Sequence, residues 1–236
     1  YRIRGYKVPA ATKNSKGTPY INLFDFEKEE KIKSIVTFDE YVEGQHLFFA
    51  TKDGVVKRTS IEEFKLIRQN GKKAITMREG DELVDVKLTT GSSIICMSCD
   101  NGRMVKFHEE DVRPMGRTAS GVRGMNTAGG NVVGLSTADE GELVFVISEH
   151  GYGKLSKLED YRLTQRGSKG VTTLNMTEKT GKIITTKSVN GDEDIMVITE
   201  GGILIRTSLK EVSVVGRNTQ GVKIIRIKDN EKVSSI

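Results

Sequence analysis

Residues 100–124 read DNGRMVKFHEEDVRPMGRTASGVRG. Asn101-Gly102 stands between the apolar runs Ile94–Ser98 and Met104–Phe107, as the turn of a tight hairpin would. After the hairpin come the acid Asp111, the apolar Val112, and a stretch with arginines, no acid and a second glycine, Gly121. The same order recurs along the chain, and self-similarity at a fixed period decides the architecture. The turn signals are Asp53-Gly54, Asn101-Gly102, His150-Gly151 and Gly201-Gly202, at spacings of 48, 49 and 51 residues. They join Leu47–Thr51 to Val55–Thr59, Leu143–Ile147 to Tyr152–Leu155, and Ile195–Thr199 to Ile203–Arg206. The second glycine recurs at Gly17, Gly71, Gly121, Gly170 and Gly221. Between the two glycines lies a core-type residue (Phe64, Val112, Tyr161 or Val212), each preceded by an acid: Glu63, Asp111, Asp160 or Glu211.

Each unit holds about four short strands. In the second they read Val55–Thr59, Ala74–Met77, Leu83–Leu88 and Ile94–Ser98. Four strands in about 50 residues match one blade of a propeller-type fold, which closes in a ring to remove sheet edges. The expectation is an all-β single domain over 1–236. Its repeats run roughly 1–54, 55–102, 103–151, 152–202 and a partial 203–236. The ring is either incomplete within this chain or closed by residues outside it.

The chain has 236 residues, 36% hydrophobic and 29% charged, enough for a buried core. No apolar run approaches the roughly 20 residues of a membrane span. The opening at Tyr1 reads as the interior of a domain, with no secretory leader expected. Cys96 and Cys99 form a CxxC pair, but within a strand positions three apart face opposite sides. A zinc site would need two further ligands, and His46, His108 and His150 are remote in sequence. Buried core thiols in a reducing compartment are the expectation. No phosphate-binding loop of the GxxxxGK[ST] type is present, and no acidic cluster suggests a metal. Tyr161 sits at the core-type position and reads as packing, not as a nucleophile.

The net charge of +5 says little, but its placement says more. Five loops around the second glycine span residues 12–18, 65–73, 113–124, 162–170 and 212–226. They hold 15 of the chain's 37 Lys and Arg and none of its 32 Asp and Glu. Equivalent loops of successive blades fall at equivalent points around a ring, so they form a positive arc. Such an arc neutralises phosphates and releases counterions. Glycines beside the cations let a phosphate approach the backbone. Aromatics, at 6% with no Trp, do not interleave with these loops, which argues against stacking of single-stranded bases. The residues expected on phosphate are Arg117, Arg123, Arg166, Lys169, Arg217 and Lys223, with Arg58, Lys72, Lys73, Arg113 and Arg162 beside them. Leu155 stands where other hairpins place Arg58, Lys106 or Arg206, so contact through that strand is expected to be weaker. Two rivals stand beside DNA binding: a propeller that docks an acidic protein partner, and an enzyme, for which no unique polar cluster breaks the repeat.

The stretches YRIRGYKVP, ATKDGVVKRTSIEEF, DNGRMVKFHEEDVRPMGRTASGVRG, EHGYGKL and VVGRNTQGVKIIRI resemble the C-terminal domain of the bacterial DNA gyrase A protein. The resemblance covers essentially the whole chain. It implies a six-bladed β-pinwheel, a propeller variant that wraps duplex DNA around a basic rim without reading sequence. The implied parent is an ATP-dependent type II topoisomerase that introduces negative supercoils. Its partners would be duplex DNA, the cleavage core of the same polypeptide, and the gyrase B protein in a heterotetramer. The resemblance implies no cofactor in this domain; ATP and Mg2+ would act elsewhere in the holoenzyme, in the bacterial cytoplasm. No membrane and no small-molecule substrate are expected. The family's box motif, of the form QRRGGKG, is not found. Gln165-Arg166-Gly167-Ser168-Lys169-Gly170 resembles it with one residue fewer, in a later repeat. The related topoisomerase IV domain, which would tune substrate choice, is the alternative.

Overall fold

The computed structural model describes residues 1–12, 14–26, 30–68, 70–227 and 231–236. Among them, residues 1–45 hold two 3-10 turns, Gly5–Lys7 and Tyr20–Asn22, and no strand. Fifteen strands follow. The first eight are β1 (His46–Thr51), β2 (Val55–Ser60), β3 (Leu83–Thr89), β4 (Ile94–Cys99), β5 (Arg103–His108), β6 (Val122–Arg123), β7 (Val132–Thr137) and β8 (Leu143–Ser148). The rest are β9 (Tyr152–Lys157), β10 (Val171–Thr172), β11 (Ile183–Val189), β12 (Asp194–Thr199), β13 (Leu204–Ser208), β14 (Val222–Lys223) and β15 (Val233–Ser235).

These make four antiparallel sheets, in the orders β3-β1-β2-β6, β7-β4-β5-β10, β11-β8-β9-β14 and β15-β12-β13. The middle of each sheet is one of the hairpins that the turn glycines announce. Gly102 shows why that residue is required. Its φ is +84°, and a Cβ there would lie 2.8 Å from the Leu174 carbonyl oxygen. The flanking strands come from further along the chain. β3 follows its hairpin by one connection, whereas β6 arrives from beyond the next hairpin. Each complete sheet is therefore assembled across successive repeats, the exchange that ties one blade to the next.

The sheets pack in series through three buried clusters. Phe48, Ile95, Met97, Phe107 and Leu135 join the first to the second. Cys96, Met104, Val144, Val146 and Tyr161 join the second to the third. Phe145, Ile147, Leu155, Val197 and Val233 join the third to the fourth. The inner strands β3, β7, β11 and β15 contact one another in turn, which makes them the axis of the stack. The two-residue strands β6, β10 and β14 lie on the opposite edge of their sheets.

The all-β, propeller-like reading is what the structure shows, with four sheets among the described residues rather than six. One expected strand is absent. Ala74–Met77 carries no strand, because the outer strand of each sheet needs a preceding hairpin and none precedes His46 among the described residues. At the other end β13 has no outer partner among the described residues. A Cβ on Gly202 would meet nothing within 4 Å, and Leu204 is 54% exposed.

Candidate nucleic-acid interface

Three of the basic loops are pinned near their start. The N–H of Met115 donates to the Arg58 carbonyl (2.8 Å), that of Thr164 to Lys106 (2.7 Å) and that of Val215 to Leu155 (2.8 Å). Each of these three then turns and ends in an outer strand, β6, β10 or β14. Consecutive loops are joined by a second recurring bond. Thr76 N–H donates to the Ala119 carbonyl (3.4 Å), Asn126 to Ser168 (3.0 Å) and Asn175 to Thr219 (3.1 Å). A third is made by the loop arginine, which reaches back to the outer strand before it. Arg117 donates to the Lys73 carbonyl (3.3 Å), Arg166 to Arg123 (3.0 Å) and Arg217 to Thr172 (3.0 Å). Four loops, at 65–76, 113–124, 162–170 and 212–226, thus form one continuous basic edge. Of the fifth expected loop, Lys13 lies outside the described residues, and among the described residues of 12–18 no hydrogen bond to the series is made.

The expected cations occupy three environments. Lys73, Arg113, Arg123, Arg162 and Lys169 are exposed, and their side chains make no hydrogen bond or ion pair among the described residues. Lys223 is exposed, with its ammonium 5.7 Å from the centre of the Tyr152 ring. Arg166 is exposed while donating to the Asp111 and Arg123 carbonyls. Lys72, Arg117 and Arg217 are half-buried. Lys72 donates to the carbonyls of Glu63 (3.2 Å) and Leu66 (3.1 Å). Arg117 lies 3.6 Å from the Glu63 carboxylate, and Arg217 also bonds the Asn218 side chain (2.9 Å).

Arg58 is a correction. It is only 7% exposed, 3.6 Å from the fully buried Glu109, and donates to the Gly91 carbonyl. Glu109 also accepts from the N–H groups of Gly91 (2.7 Å) and Ser93 (2.8 Å). The guanidinium holds a turn between strands and is closed to phosphate. At the repeat position it shares with Lys106, Leu155 and Arg206, Leu155 is buried, Lys106 is half-buried and Arg206 is exposed. Lys106 donates to the Leu158 carbonyl, and Arg206 pairs with Asp194.

The glycine reading also needs correction. A Cβ on Gly121 would sit 2.4 Å from the Val56 carbonyl, and one on Gly170 would sit 2.2 Å from the Met104 carbonyl. These glycines let the loop press on the preceding hairpin, not a phosphate on the loop. Within the four linked loops the glycines with open space in front of them are Gly116 and Gly216, next to Arg117 and Arg217; Gly17, in the loop at 12–18, is open as well.

Sequence reasoning missed two residues under this edge. Lys57 and Lys154 lie three positions after a hairpin glycine, and neither is exposed at all. Lys57 Nζ donates to the carbonyls of Ala74 and Arg117. Lys154 Nζ donates to Gly216 (2.9 Å), Arg217 (2.7 Å) and Thr219 (3.0 Å). Burial, and then the nearby Arg117 or Arg217, pushes each ammonium down to about 8. A lysine at the strand position where the other repeats carry Val105 and Ile205 was the available signal.

The other candidates resolve into packing. Cys96 and Cys99 are buried, and burial pushes their thiols up to about 12 and about 11. The Tyr161 hydroxyl bonds Thr173 at 2.6 Å inside the core, and burial pushes it up to about 12. Among the described residues no group of three His, Cys, Asp or Glu could hold a metal, and no helix is long and apolar enough to cross a membrane. A 410 Å³ cavity near the inner strands is lined by both signs of charge, including Lys33, Lys52, Lys182, Glu82, Asp100 and Glu149. Its acids are already engaged, Glu82 by Lys33 (3.1 Å), Asp100 by Lys182 (3.3 Å) and Glu149 by Lys232 (3.2 Å).

Comparison with known proteins follows the same outline. A family described as "DNA gyrase C-terminal domain, beta-propeller" matches residues 1–39, 45–90, 100–139, 142–190 and 193–236. The DNA gyrase A protein of Ureaplasma parvum is 45% identical over 237 residues, covering 100% of this chain and 28% of that protein. Its Staphylococcus epidermidis counterpart is 41% identical over 240 residues, covering 100% of the chain and 27% of that relative. The chain therefore spans little more than a quarter of the length of these curated relatives. Among solved structures, a DNA gyrase A C-terminal domain superposes with a TM-score of 0.83 at 23% identity, covering 94% of this chain and 74% of that one. A topoisomerase IV C-terminal domain gives 0.85 at 23% identity, with 93% and 69% covered. At that identity the superpositions speak to fold alone.

Proposed function

The chain belongs to the DNA gyrase C-terminal domain family, and from that premise we propose that its basic edge binds duplex DNA through phosphates and bends it along the series of loops. The observation that carries this reading is the repeated bonding of one acid-free loop to the next. A row of cations in fixed register suits a stiff, evenly charged backbone better than it suits an irregular acidic protein face. Contacts to phosphate position the duplex without reading bases, so sequence preference is low.

The magnitudes permit bending. A half-turn over roughly 40 base pairs costs on the order of 10 kcal/mol for a smooth elastic rod. Each neutralised phosphate returns about 1 kcal/mol at ~0.15 M salt. Thirteen Lys and Arg lie in the four linked loops, a number that offsets the bend with little surplus. Binding by this chain alone is therefore salt-sensitive and modest. In the parent enzyme the bent segment is presented to the cleavage core, and strand passage converts the wrap into negative supercoils. ATP, Mg2+ and strand cleavage belong to the remainder of that heterotetramer with the gyrase B protein, in the bacterial cytoplasm. The gyrase assignment is preferred over topoisomerase IV because the 41–45% identical relatives are gyrase A proteins.

Competition between short and long duplexes tests the reading. A duplex long enough to follow all four loops should bind far more tightly per molecule than one spanning a single loop. Equal affinity would favour a docking site for an acidic partner instead.

A further inference from the structure

Three positions after the hairpin glycine the repeats carry Lys57, Val105, Lys154 and Ile205. Two of the four are charged, fully buried, and directed at the same feature of the following loop. Lys154 gathers three carbonyls and the Thr219 hydroxyl (3.2 Å), all within the turn that carries Arg217. That turn is closed by Thr219 N–H on the Gly216 carbonyl (3.1 Å). Lys57 bonds the Arg117 carbonyl in the equivalent turn, closed by Ala119 on Gly116 (3.1 Å), and ties it to Ala74 of the preceding loop. The loop opposite Val105 uses other bonds. Thr164 reaches Ser168 (3.1 Å) and Arg166 reaches Asp111 (2.8 Å).

Neither ammonium has a carboxylate among its partners in the described residues. On Lys57 the facing groups are the Phe49 ring of β1 (5.4 Å), the Ala74 carbonyl and Arg117, whose own partner is Glu63. On Lys154 they are Val146 of β8 and Arg217 and Thr219 of the loop. Each buried charge is thus surrounded by neutral dipoles and one arginine, with no carboxylate bonded to it among the described residues.

We propose that Lys57 and Lys154 are positioning residues for DNA, holding the Arg117 and Arg217 turns from beneath, and that the phosphates of the bound duplex supply their counter-charge. This rests on the DNA-binding reading above. An approaching polyanion favours the charged form of each lysine. A neutral amine has two donors where the ammonium has three, so its loss also slackens the turn. In the free protein each ammonium gives up its proton near pH 8, so binding must restore protons above that pH. Affinity is then complete below pH 8 and declines as pH rises past it, by up to about tenfold per lysine over one pH unit.

The test is fluorescence anisotropy of a labelled duplex, long enough to follow all four loops, from pH 7 to about 9.5 at fixed salt. Calorimetry near pH 8.5, in buffers of different ionisation enthalpy, counts protons taken up on binding. The expected result is weakening beyond pH 8 with net uptake. A Lys57→Met/Lys154→Met variant should bind less well at pH 7 and show no such weakening. If that variant does not fold, the wild-type profile and proton count decide alone. Binding at pH 7 that persists unchanged to pH 9.5 without proton uptake overturns the assignment and leaves the DNA-binding reading intact. Absence of binding at pH 7 and low salt overturns that reading itself.

Discussion

Neutralising Arg113, Arg162 and Lys169 together, each to Gln, isolates phosphate contact from folding. These three side chains are exposed and make no hydrogen bond or ion pair among the described residues, so their charge serves nothing visible within the fold. Stability should shift by less than about 0.5 kcal/mol, as for ordinary surface changes. DNA affinity should respond strongly. Three lost phosphate contacts lower the slope of log K against log salt by about 2.7, at roughly 0.9 per contact. Extrapolated to ~0.15 M salt, the same three contacts amount to about 2.2 decades, or ~3 kcal/mol. The assay is anisotropy of a labelled duplex across a salt series, with thermal unfolding in parallel. An unchanged slope with unchanged stability would refute the claim that these loops meet phosphate. An unchanged slope with weaker binding would indicate loss of a nonelectrostatic contact, which the reasoning also forbids.

Gly170→Ala places a Cβ 2.2 Å from the Met104 carbonyl at a φ of +70°, so it should cost about 2–4 kcal/mol; a melting temperature within a degree of wild type would contradict that packing. Stability should also rise with pH between about 8 and 9. Lys57 and Lys154 hold their protons less tightly when folded (about 8) than at the ordinary 10.5, so the unfolded chain carries the extra protons in that window. The gain is about 1 kcal/mol per lysine over the first unit. Above pH 9 the gain is offset, because Cys96 and Cys99 keep protons in the fold that the unfolded thiols release, while the lysine contribution lasts to about 10.5. Denaturant melts from pH 7 to 10 should therefore show stability rising to about pH 9 and then levelling off, and a monotonic fall from pH 7 would contradict the buried-ammonium geometry. The two thiols should resist iodoacetamide in the native protein near pH 8 and react together on unfolding. Rapid native alkylation would place at least one of them at the surface.

What is local in the fold is legible in the sequence. Turn glycines such as Gly102 sit between apolar runs that pair with each other, so the hairpins and their core residues can be read from spacing. The outer strands cannot. Val122–Arg123 is two residues long and pairs with Val55–Val56 across a whole intervening hairpin. Conversely, Ala74–Met77 looks like a strand and is none, because a strand exists only with its partner. The basic loops are visible by composition, yet composition cannot distinguish a free cation from a committed one. Arg58 reads as a surface residue because Glu109, 51 positions later, is the group that buries it. Lys57 and Lys154 escape notice for the opposite reason. Their role lies in carbonyls about 60 residues away, and a carbonyl leaves no trace in the sequence.

The central claim is that duplex DNA gains more by curving along the linked loops than by staying straight. Relaxed circular DNA incubated with the domain and a nicking-closing enzyme reads this directly, as the linking difference trapped after protein removal. The wrap should leave a positive linking difference that grows with protein and vanishes at high salt. A linking number unchanged at saturating protein, under salt where binding is independently seen, would contradict it.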